Sequence, residues 1–225
     1  MSSAFLTKTR TAENIISLHT DSIHKNISPE ISVLTMPLSH GSSEISDTYE
    51  SSAFFIRHDP SGREFLFFGD VEPDTVANRP YTIRVWLAAA PKIPQILSTI
   101  FIECSWASGR PDDLLYGHLN PEHLVAELSV LANEVVLARG RNLIEPRNGN
   151  KPLRKKHKSN PISSPNLRGV LHGLRIYITH CKDNLDGAYD RSISRVIVDQ
   201  VKMLVEAQGL GVEILGAEQG MRIGL

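Results

Sequence analysis

The stretch Leu174-Arg-Ile-Tyr-Ile-Thr-His180, together with the segment that follows it, decides the fold. Its nearly unbroken apolar run predicts a buried strand over Leu174 to Thr179. Helical spacing of apolar residues predicts a helix over Ile193 to Ala207, and a second apolar run predicts a strand over Val212 to Leu215. Strand, helix and strand joined by short links are typical of a layered α/β fold.

Further strands are predicted upstream of this unit. Two short apolar runs, Ser32 to Pro37 and Thr99 to Cys104, each predict a single strand. The runs Ala53 to Arg57 and Glu64 to Phe68 are separated by Asp59-Pro-Ser-Gly62. Because proline fixes φ and glycine accepts a positive φ, this link predicts an antiparallel hairpin.

Two more helices are predicted between the strands. A short helix is expected around Ile93 to Ser98. A longer amphipathic helix is predicted from Pro121 to about Ala138, because Leu124, Leu128, Leu131 and Val135 recur at helical spacing. Asn120 would be its N-cap, with proline at the first helical position.

Two segments do not show a clear pattern. Residues 1–30 are polar and mixed, and their fold stays undefined. Residues 145–168 hold four prolines and the basic cluster Arg154-Lys-Lys-His-Lys158, a composition that cannot bury enough apolar surface to order itself. We interpret it as a solvated insertion in one domain over 31–225. The alternative, a nucleic-acid patch, is disfavoured because no aromatic residues are interleaved for base stacking.

Composition limits the class of protein. The chain has 225 residues, 41% hydrophobic residues and a formal charge of −1. It shows no run of about 20 apolar residues that could span a bilayer and no secretory h-region, so a cytoplasmic location is expected, with a nuclear one not excluded. Its two cysteines, Cys104 and Cys181, are too few for a disulfide framework, and we expect them to be reduced and mostly buried.

Four side chains that could bind a metal or take part in catalysis follow apolar, strand-like runs: His40, Asp70, His118 and His180. Strands that end in imidazole and carboxylate groups carry metal ligands to one rim of α/β proteins. Asp70 is open to two interpretations, a turn residue after Gly69 or a carboxylate that bridges two metals. His40 and His180 are likewise either structural or metal-binding.

His118 and Glu103 are candidates for acid and base chemistry. His118 lies just before a predicted helix start, where backbone N–H groups favour anions, so it is either a general acid near a phosphate or a packing residue. Glu103 ends an apolar run and could orient a histidine. The remaining histidines are interpreted as uninvolved or lie in the undefined N-terminal segment: His58, His123, His157, His172, His19 and His24.

Six strings in order carry a family resemblance: Pro37-Leu-Ser-His-Gly41, Ser51-Ser-Ala-Phe-Phe-Ile56, Phe68-Gly-Asp-Val-Glu72, Ile100-Phe-Ile-Glu-Cys-Ser105, Leu115-Tyr-Gly-His-Leu-Asn-Pro121 and Gly173-Leu-Arg-Ile-Tyr-Ile-Thr-His180. Over roughly Val33 to Gly220 the chain resembles the class II cyclic-nucleotide phosphodiesterases. That family belongs to the metallo-β-lactamase-like hydrolases. The resemblance implies an αββα sandwich that hydrolyses cAMP to 5′-AMP in cAMP signalling.

The resemblance also implies roles for residues. The family holds two zinc ions, for which His40 resembles a ligand of the first metal, Asp70 the bridging carboxylate and His180 the closing ligand of the second. His118 resembles the histidine that assists departure of the 3′-oxygen, with Glu103 supporting it. A cyclic nucleotide is the implied substrate. No membrane or nucleic-acid partner is expected, and homo-oligomer formation is left open.

One family motif has no counterpart. No HxHxDH string occurs in the sequence, although in the family it supplies four metal ligands. We therefore expect a sandwich that is incomplete at the N-terminus, with zinc binding and activity in doubt. Three hypotheses remain: a cAMP phosphodiesterase, another metallo-β-lactamase-like phosphodiesterase such as a nuclease, and a catalytically inert truncated homologue that acts as an interaction protein.

Overall fold

The computed structural model describes residues 23–42, 49–142, 166–182 and 189–224. They form one seven-stranded sheet in which the strands lie in chain order. The strands are β1 (Lys25–Ser28), β2 (Ile31–Ser39), β3 (Glu50–His58), β4 (Arg63–Phe68), β5 (Leu97–Glu103), β6 (Arg175–Thr179) and β7 (Glu213–Gly216). The helices are α1 (Thr82–Ala89), α2 (Pro121–Asn142) and α3 (Ile193–Gln208), with 3₁₀ turns at Ala90–Lys92 and Asp112–Leu114.

The sheet is mixed. Pairings from β1 to β4 are antiparallel, and those from β4 to β7 are parallel. It follows that β2, β4, β5 and β6 run in the same direction. Their carboxyl ends therefore meet at one edge of the sheet, which is where α/β proteins place ligands.

The predicted hairpin is present as β3 and β4. His58 pairs with Arg63 across the turn. Gly62 has φ of 67°, a left-handed conformation that glycine adopts without a steric penalty. The turn residues therefore act as the sequence indicated.

The short helix predicted at Ile93 to Ser98 is wrong. The helix of this region is α1, which lies earlier and buries Val85, Trp86 and Ala89. Leu97 and Ser98 instead begin β5, because the backbone of Leu97 pairs with Glu64 in the sheet. Short apolar runs of this length suit a buried strand as well as a helix, and here the sheet pairing decides.

The two longer helices follow their sequence signals. Asn120 caps α2, since its Oδ1 accepts a hydrogen bond of 2.9 Å from the backbone N–H of His123. This helix extends to Asn142, beyond the predicted end near Ala138. α3 ends at Gly209, which has φ of 66°.

The sheet has two different faces. Leu66 and Phe68 of β4 are buried in a single core with apolar side chains of the three helices. Phe65 and Phe67 alternate with them and point to the other face, where Phe67 is 39% exposed. The described residues thus provide one sheet and one helical layer. This confirms the α/β class, and the second sheet of the expected sandwich is not found among them.

Several expectations concern segments with little or no description. Residues 145–165 of the insertion 145–168 lie outside the described part of the chain, as do residues 1–22. Within the undefined N-terminal segment, Lys25–Ser28 forms the edge strand β1, which the sequence did not predict. Cys104, which is buried, and Cys181, which is half-buried, are not joined in a disulfide. In the described part of the chain, no helix combines the length and apolar character needed to cross a bilayer.

Candidate active site

All five predicted site residues lie at one edge of the sheet. His40 follows β2, Asp70 follows β4 by two residues, Glu103 ends β5 and His180 follows β6. His118 reaches the same edge from the loop before α2. One ligand atom each from Asp70, Glu103, His118 and His180 lies within 4.8 Å of the others.

Asp70 lies between the two histidines that follow strands, His40 and His180. Its Oδ1 lies 3.0 Å from Nδ1 of His180, and its Oδ2 lies 3.7 Å from Nε2 of His40. The Asp70 side chain keeps 42% of its surface exposed, so the carboxylate lies at the solvent side of the site. This geometry is compatible with a carboxylate shared between two cations, and it argues against a simple turn residue.

His40 is held in one ring orientation. Its Nδ1 lies 2.8 Å from the carbonyl oxygen of Gly117, so Nδ1–H donates to this carbonyl and Nε2 faces Asp70 Oδ2 at 3.7 Å. A hydrogen bond of this kind fixes the tautomer of histidines that bind metals. The carbonyl comes this close only because Gly117 lacks a side chain: a Cβ would lie 2.8 Å from the carbonyl carbon and oxygen of His40.

The loops that carry His40 and Asp70 are tied together. Ser39 Oγ donates to the Glu72 carboxylate, and the backbone N–H of Glu72 donates to the carbonyl of Ser39 at 2.9 Å. Both side chains are buried. The ends of β2 and β4, which are not sheet neighbours, are thereby held at a fixed separation.

Glu103 is buried beneath the cluster and organises it. Its Oε1 accepts hydrogen bonds of 2.8 Å from Nδ1–H of His118 and from the backbone N–H of Val71, next to Asp70. Its Oε2 accepts from Ser105 Oγ at 2.5 Å. With both oxygens engaged inside the protein, Glu103 is placed to orient its neighbours.

His118 is almost fully buried and is bonded through both ring nitrogens. With Nδ1–H donated to Glu103, Nε2 accepts a hydrogen bond from Lys182 Nζ at 2.6 Å. Its ring lies between the other two histidines, with centroid distances of 4.6 Å to His40 and 5.1 Å to His180. The Nε2 atom is therefore the one position on this ring from which a proton can be exchanged with a ligand.

His180 adopts an uncommon backbone conformation. Its φ is 54°, in the left-handed region that non-glycine residues rarely occupy. The strain, on the order of 1 kcal/mol, is sustained by the contacts of this residue. They are the contact of 3.0 Å between His180 Nδ1 and Asp70 Oδ1, and the approach of Ser105 Oγ to 3.0 Å from the His180 carbonyl oxygen. Strained residues of this kind cluster at functional sites.

Sequence reasoning missed two members of this site. Ser105 bridges Glu103 and the backbone of His180, and Lys182 contacts His118. Lys182 follows a strand-end histidine by two residues, which is the signal that could have identified it.

The other described histidines lie outside the cluster, in agreement with the sequence interpretation. His123 pairs with Asp112 at 2.8 Å, and His58 contacts Ser61 at 2.8 Å. His24 lies 3.5 Å from Glu64. Burial lowers the pKa of His24, because the charged imidazolium loses hydration there. His172 is exposed, and His19 and His157 fall outside the described residues.

The sequence comparison gives this geometry a family. The family model described as "cAMP phosphodiesterases class-II" matches residues 4–220. The chain belongs to the class II cAMP phosphodiesterases. This confirms the resemblance found in the motif strings, and the match begins well before Val33, the approximate start of that resemblance.

Curated relatives and a solved structure agree with this family. The chain is 46% identical over 115 residues to a 3′,5′-cyclic-nucleotide phosphodiesterase of Schizosaccharomyces pombe, covering 51% of this chain and 33% of the relative. It is 34% identical over 191 residues to one of Aliivibrio fischeri, covering 84% and 45%. The crystal structure of unliganded yeast PDE1 superimposes with a TM-score of 0.66 at 22% identity, covering 88% and 47%, and so shares the fold.

The matched relatives are much longer than this chain. The chain spans less than half of the length of the curated relatives it matches. The sequence contains no HxHxDH string, as noted above.

Proposed function

We propose that the cluster is the C-terminal portion of a cyclic-nucleotide phosphodiesterase active site that hydrolyses cAMP to 5′-AMP. The observation that carries the proposal is the convergence of Asp70, Glu103, His118 and His180 within 4.8 Å, at the edge where β4, β5 and β6 end side by side. Membership of the class II family supplies the reaction class. A nuclease of the same superfamily is disfavoured because the family match covers nearly the whole chain.

The free donor atoms of the site suit zinc, which takes imidazole nitrogen and carboxylate oxygen. We propose that Nε2 of His40, both oxygens of Asp70 and the ring of His180 hold two zinc ions, with Asp70 between them. The fit rests on the donor set: His40 already has its Nδ1–H committed to Gly117, and both Asp70 oxygens face the two histidines. Bound zinc supplies Lewis-acid chemistry, which polarises phosphoryl oxygen and activates water at neutral pH.

His118 is proposed as the residue that protonates the departing 3′-oxygen. Glu103 holds Nδ1–H, so the proton that moves passes through Nε2, to which Lys182 Nζ–H can supply it across their contact of 2.6 Å. The buried Glu103 carboxylate stabilises the positive charge that the ring acquires when Nε2 is protonated. Glu103 acts through His118 and is therefore a positioning residue.

A second candidate is an inert homologue that keeps the fold without its metals. The observation in its favour is the lack of the HxHxDH string, since His40, Asp70 and His180 alone give neither zinc ion three protein ligands. On this alternative, the chain binds no zinc with high affinity, and added zinc does not raise its thermal stability.

The test combines turnover with metal content in the purified chain. We would measure cAMP hydrolysis with zinc present, beside elemental analysis, for the parent protein and for Asp70→Asn. Asp112→Asn is the matched control, because Asp112 also pairs with a histidine but lies outside the cluster. Bound zinc and turnover that are lost in Asp70→Asn and kept in Asp112→Asn support the proposal. Absence of both in the parent protein supports the inert alternative.

Location and assembly stay predictions. We propose a cytoplasmic protein with a cyclic nucleotide as its ligand. That the protein has no nucleic-acid partner and that it forms a homo-oligomer also stay predictions.

A further inference from the structure

A cleft adjoins the histidine cluster on the side of Lys182. It has a volume of about 190 Å³, and the side chains that define its character are Trp106, Arg110, Lys182 and Tyr189. Lys182 belongs to both sites, since its Nζ also contacts Nε2 of His118 at 2.6 Å. A ligand in the cleft would therefore reach the reacting edge of the cluster.

The described side chains that line the cleft carry a net positive charge. Its described lining contains the cations Arg110 and Lys182 and no acidic residue. Among the residues with a described structure, neither cation forms an ion pair with a carboxylate: Arg110 donates to a backbone carbonyl and Lys182 to His118. Uncompensated cations in a concave site attract an anion, and lysine is a common partner of phosphate.

The wall of the cleft is a flat stack of planar groups. The guanidinium carbon of Arg110 lies 3.7 Å from the centroid of the Trp106 ring. Arg110 Nε donates to the Leu114 carbonyl at 2.6 Å, and Trp106 Nε1 donates to the Leu115 carbonyl at 2.9 Å. Both groups are thus fixed before a ligand arrives, which lowers the entropy lost on binding.

A guanidinium stacked on an indole offers its outer face to a second planar group. Aromatic rings and arginine planes are the surfaces on which nucleic-acid bases stack. Lys182 suits an anionic group, and the adjacent stack suits a flat heterocycle, so the ligand that fits the cleft has both. A nucleoside monophosphate has both.

We propose that this cleft binds the nucleoside of a nucleotide, with the base on the Arg110–Trp106 stack and the phosphate on Lys182. The inference rests on the proposed function for the identity of the neighbouring reaction, but binding itself does not require metal. Arg110 and Trp106 are then the residues that recognise the base, and Lys182 is the one that places the phosphate beside His118.

Binding would be measured by isothermal titration calorimetry on the metal-free chain, kept in chelator. The probes are 5′-AMP, adenosine, ribose 5-phosphate and inorganic phosphate. We expect 5′-AMP to bind at least tenfold more tightly than each of the other three, because only it engages both the stack and the lysine. Equal affinity for 5′-AMP and inorganic phosphate would overturn the proposal.

Variants of Arg110 separate stacking from charge. Arg110→Gln should weaken 5′-AMP binding by about tenfold, the loss typical of one base-stacking contact. Arg110→Lys keeps the positive charge and removes the planar guanidinium group. It should therefore weaken the binding of 5′-AMP and leave the binding of ribose 5-phosphate unchanged. A merely structural role would alter both probes together. Circular dichroism would verify that each variant is folded.

The matched control is Arg84→Gln. Arg84 also lies over an aromatic ring, that of Tyr81 at 5.2 Å, but it is on α1 and does not line the cleft. It should bind 5′-AMP as the parent protein does. The same 5′-AMP affinity in Arg110→Gln as in Arg84→Gln would refute base stacking at Arg110.

The outcomes distinguish this inference from the proposed function. A chain that binds 5′-AMP through Arg110 but does not hydrolyse cAMP with zinc would refute the phosphodiesterase activity alone. A chain that hydrolyses cAMP with an unchanged KM in Arg110→Gln would refute the nucleoside cleft alone.

Discussion

Removing the Glu103 carboxylate should destabilise the site more than any other single change in it. Three groups donate to this side chain, and two of them, the Val71 N–H and the His118 Nδ1–H, have no other acceptor within the described contacts. The third, Ser105 Oγ–H, can turn to the His180 carbonyl at 3.0 Å. Glu103→Leu thus leaves two buried donors unpaired.

The expected magnitude follows from the cost of those donors. A buried donor left without a partner costs about 1–3 kcal/mol, so the pair costs about 2–6 kcal/mol. Leucine fills most of the space of the glutamate, so a cavity adds little. Against a total stability of about 5–15 kcal/mol, this is a large fraction.

Glu103→Gln should be much milder. The amide oxygen can replace Oε1 and accept from both Val71 and His118, while the amide NH₂ donates to Ser105 Oγ. We expect its free energy of unfolding to stay within about 1 kcal/mol of the parent protein. The leucine and glutamine variants therefore differ chiefly in whether the buried donors are satisfied.

Urea unfolding, followed by circular dichroism, measures the difference. With a slope of about 2 kcal/mol/M, the midpoint of Glu103→Leu should fall by on the order of 1–3 M. Glu206→Leu, at an exposed position on α3, is the control and should shift stability by no more than about 0.5 kcal/mol. Equal midpoints for Glu103→Leu and Glu103→Gln would show that the buried hydrogen bonds do not carry the stability assigned to them.

Three further predictions concern other parts of the fold. Gly117→Ala should lower the unfolding free energy by about 1–3 kcal/mol more than Gly62→Ala, because both have positive φ but only Gly117 has backbone atoms within 3.0 Å of the added Cβ; thermal unfolding of both variants decides it. Burial raises the pKa of Glu127, so ionised Glu127 disfavours the folded state at neutral pH. The free energy of unfolding should therefore gain a contribution from Glu127 as the pH falls from 7 toward 4.5. Glu127→Gln should remove this trend in the urea midpoints. Iodoacetamide should label the half-buried Cys181 before Cys104, since burial raises the pKa of the Cys104 thiol; mass spectrometry that found Cys104 modified first would contradict this.

Much of the secondary structure was predictable because its causes are local. The hairpin followed from Pro60 and Gly62, and the start of α2 from Asn120 and Pro121. The displaced α1 was not predictable from Ile93 to Ser98, because pairing of Leu97 with the neighbouring strand outweighs local preference. Similarly, the edge strand β1 exists only through its pairing with β2.

The sequence by itself indicated the residues that strand ends bring to the cluster. His40, Asp70, Glu103 and His180 stand at or just after strand ends, and strands that run in the same direction bring those ends to one edge. The motif strings that carry the family resemblance contain these same residues. Chemical type and position along a strand are local properties, so the sequence displays them directly.

Only the tertiary structure decided how those residues are held. The Gly117 carbonyl that orients His40 lies 77 positions away in sequence, and Lys182 lies 64 positions from the His118 that it contacts. The stack of Arg110 on Trp106 likewise depends on how one loop folds back on itself. Such contacts form between groups with no local signal of each other, because packing of the whole sheet and its helices sets their distance.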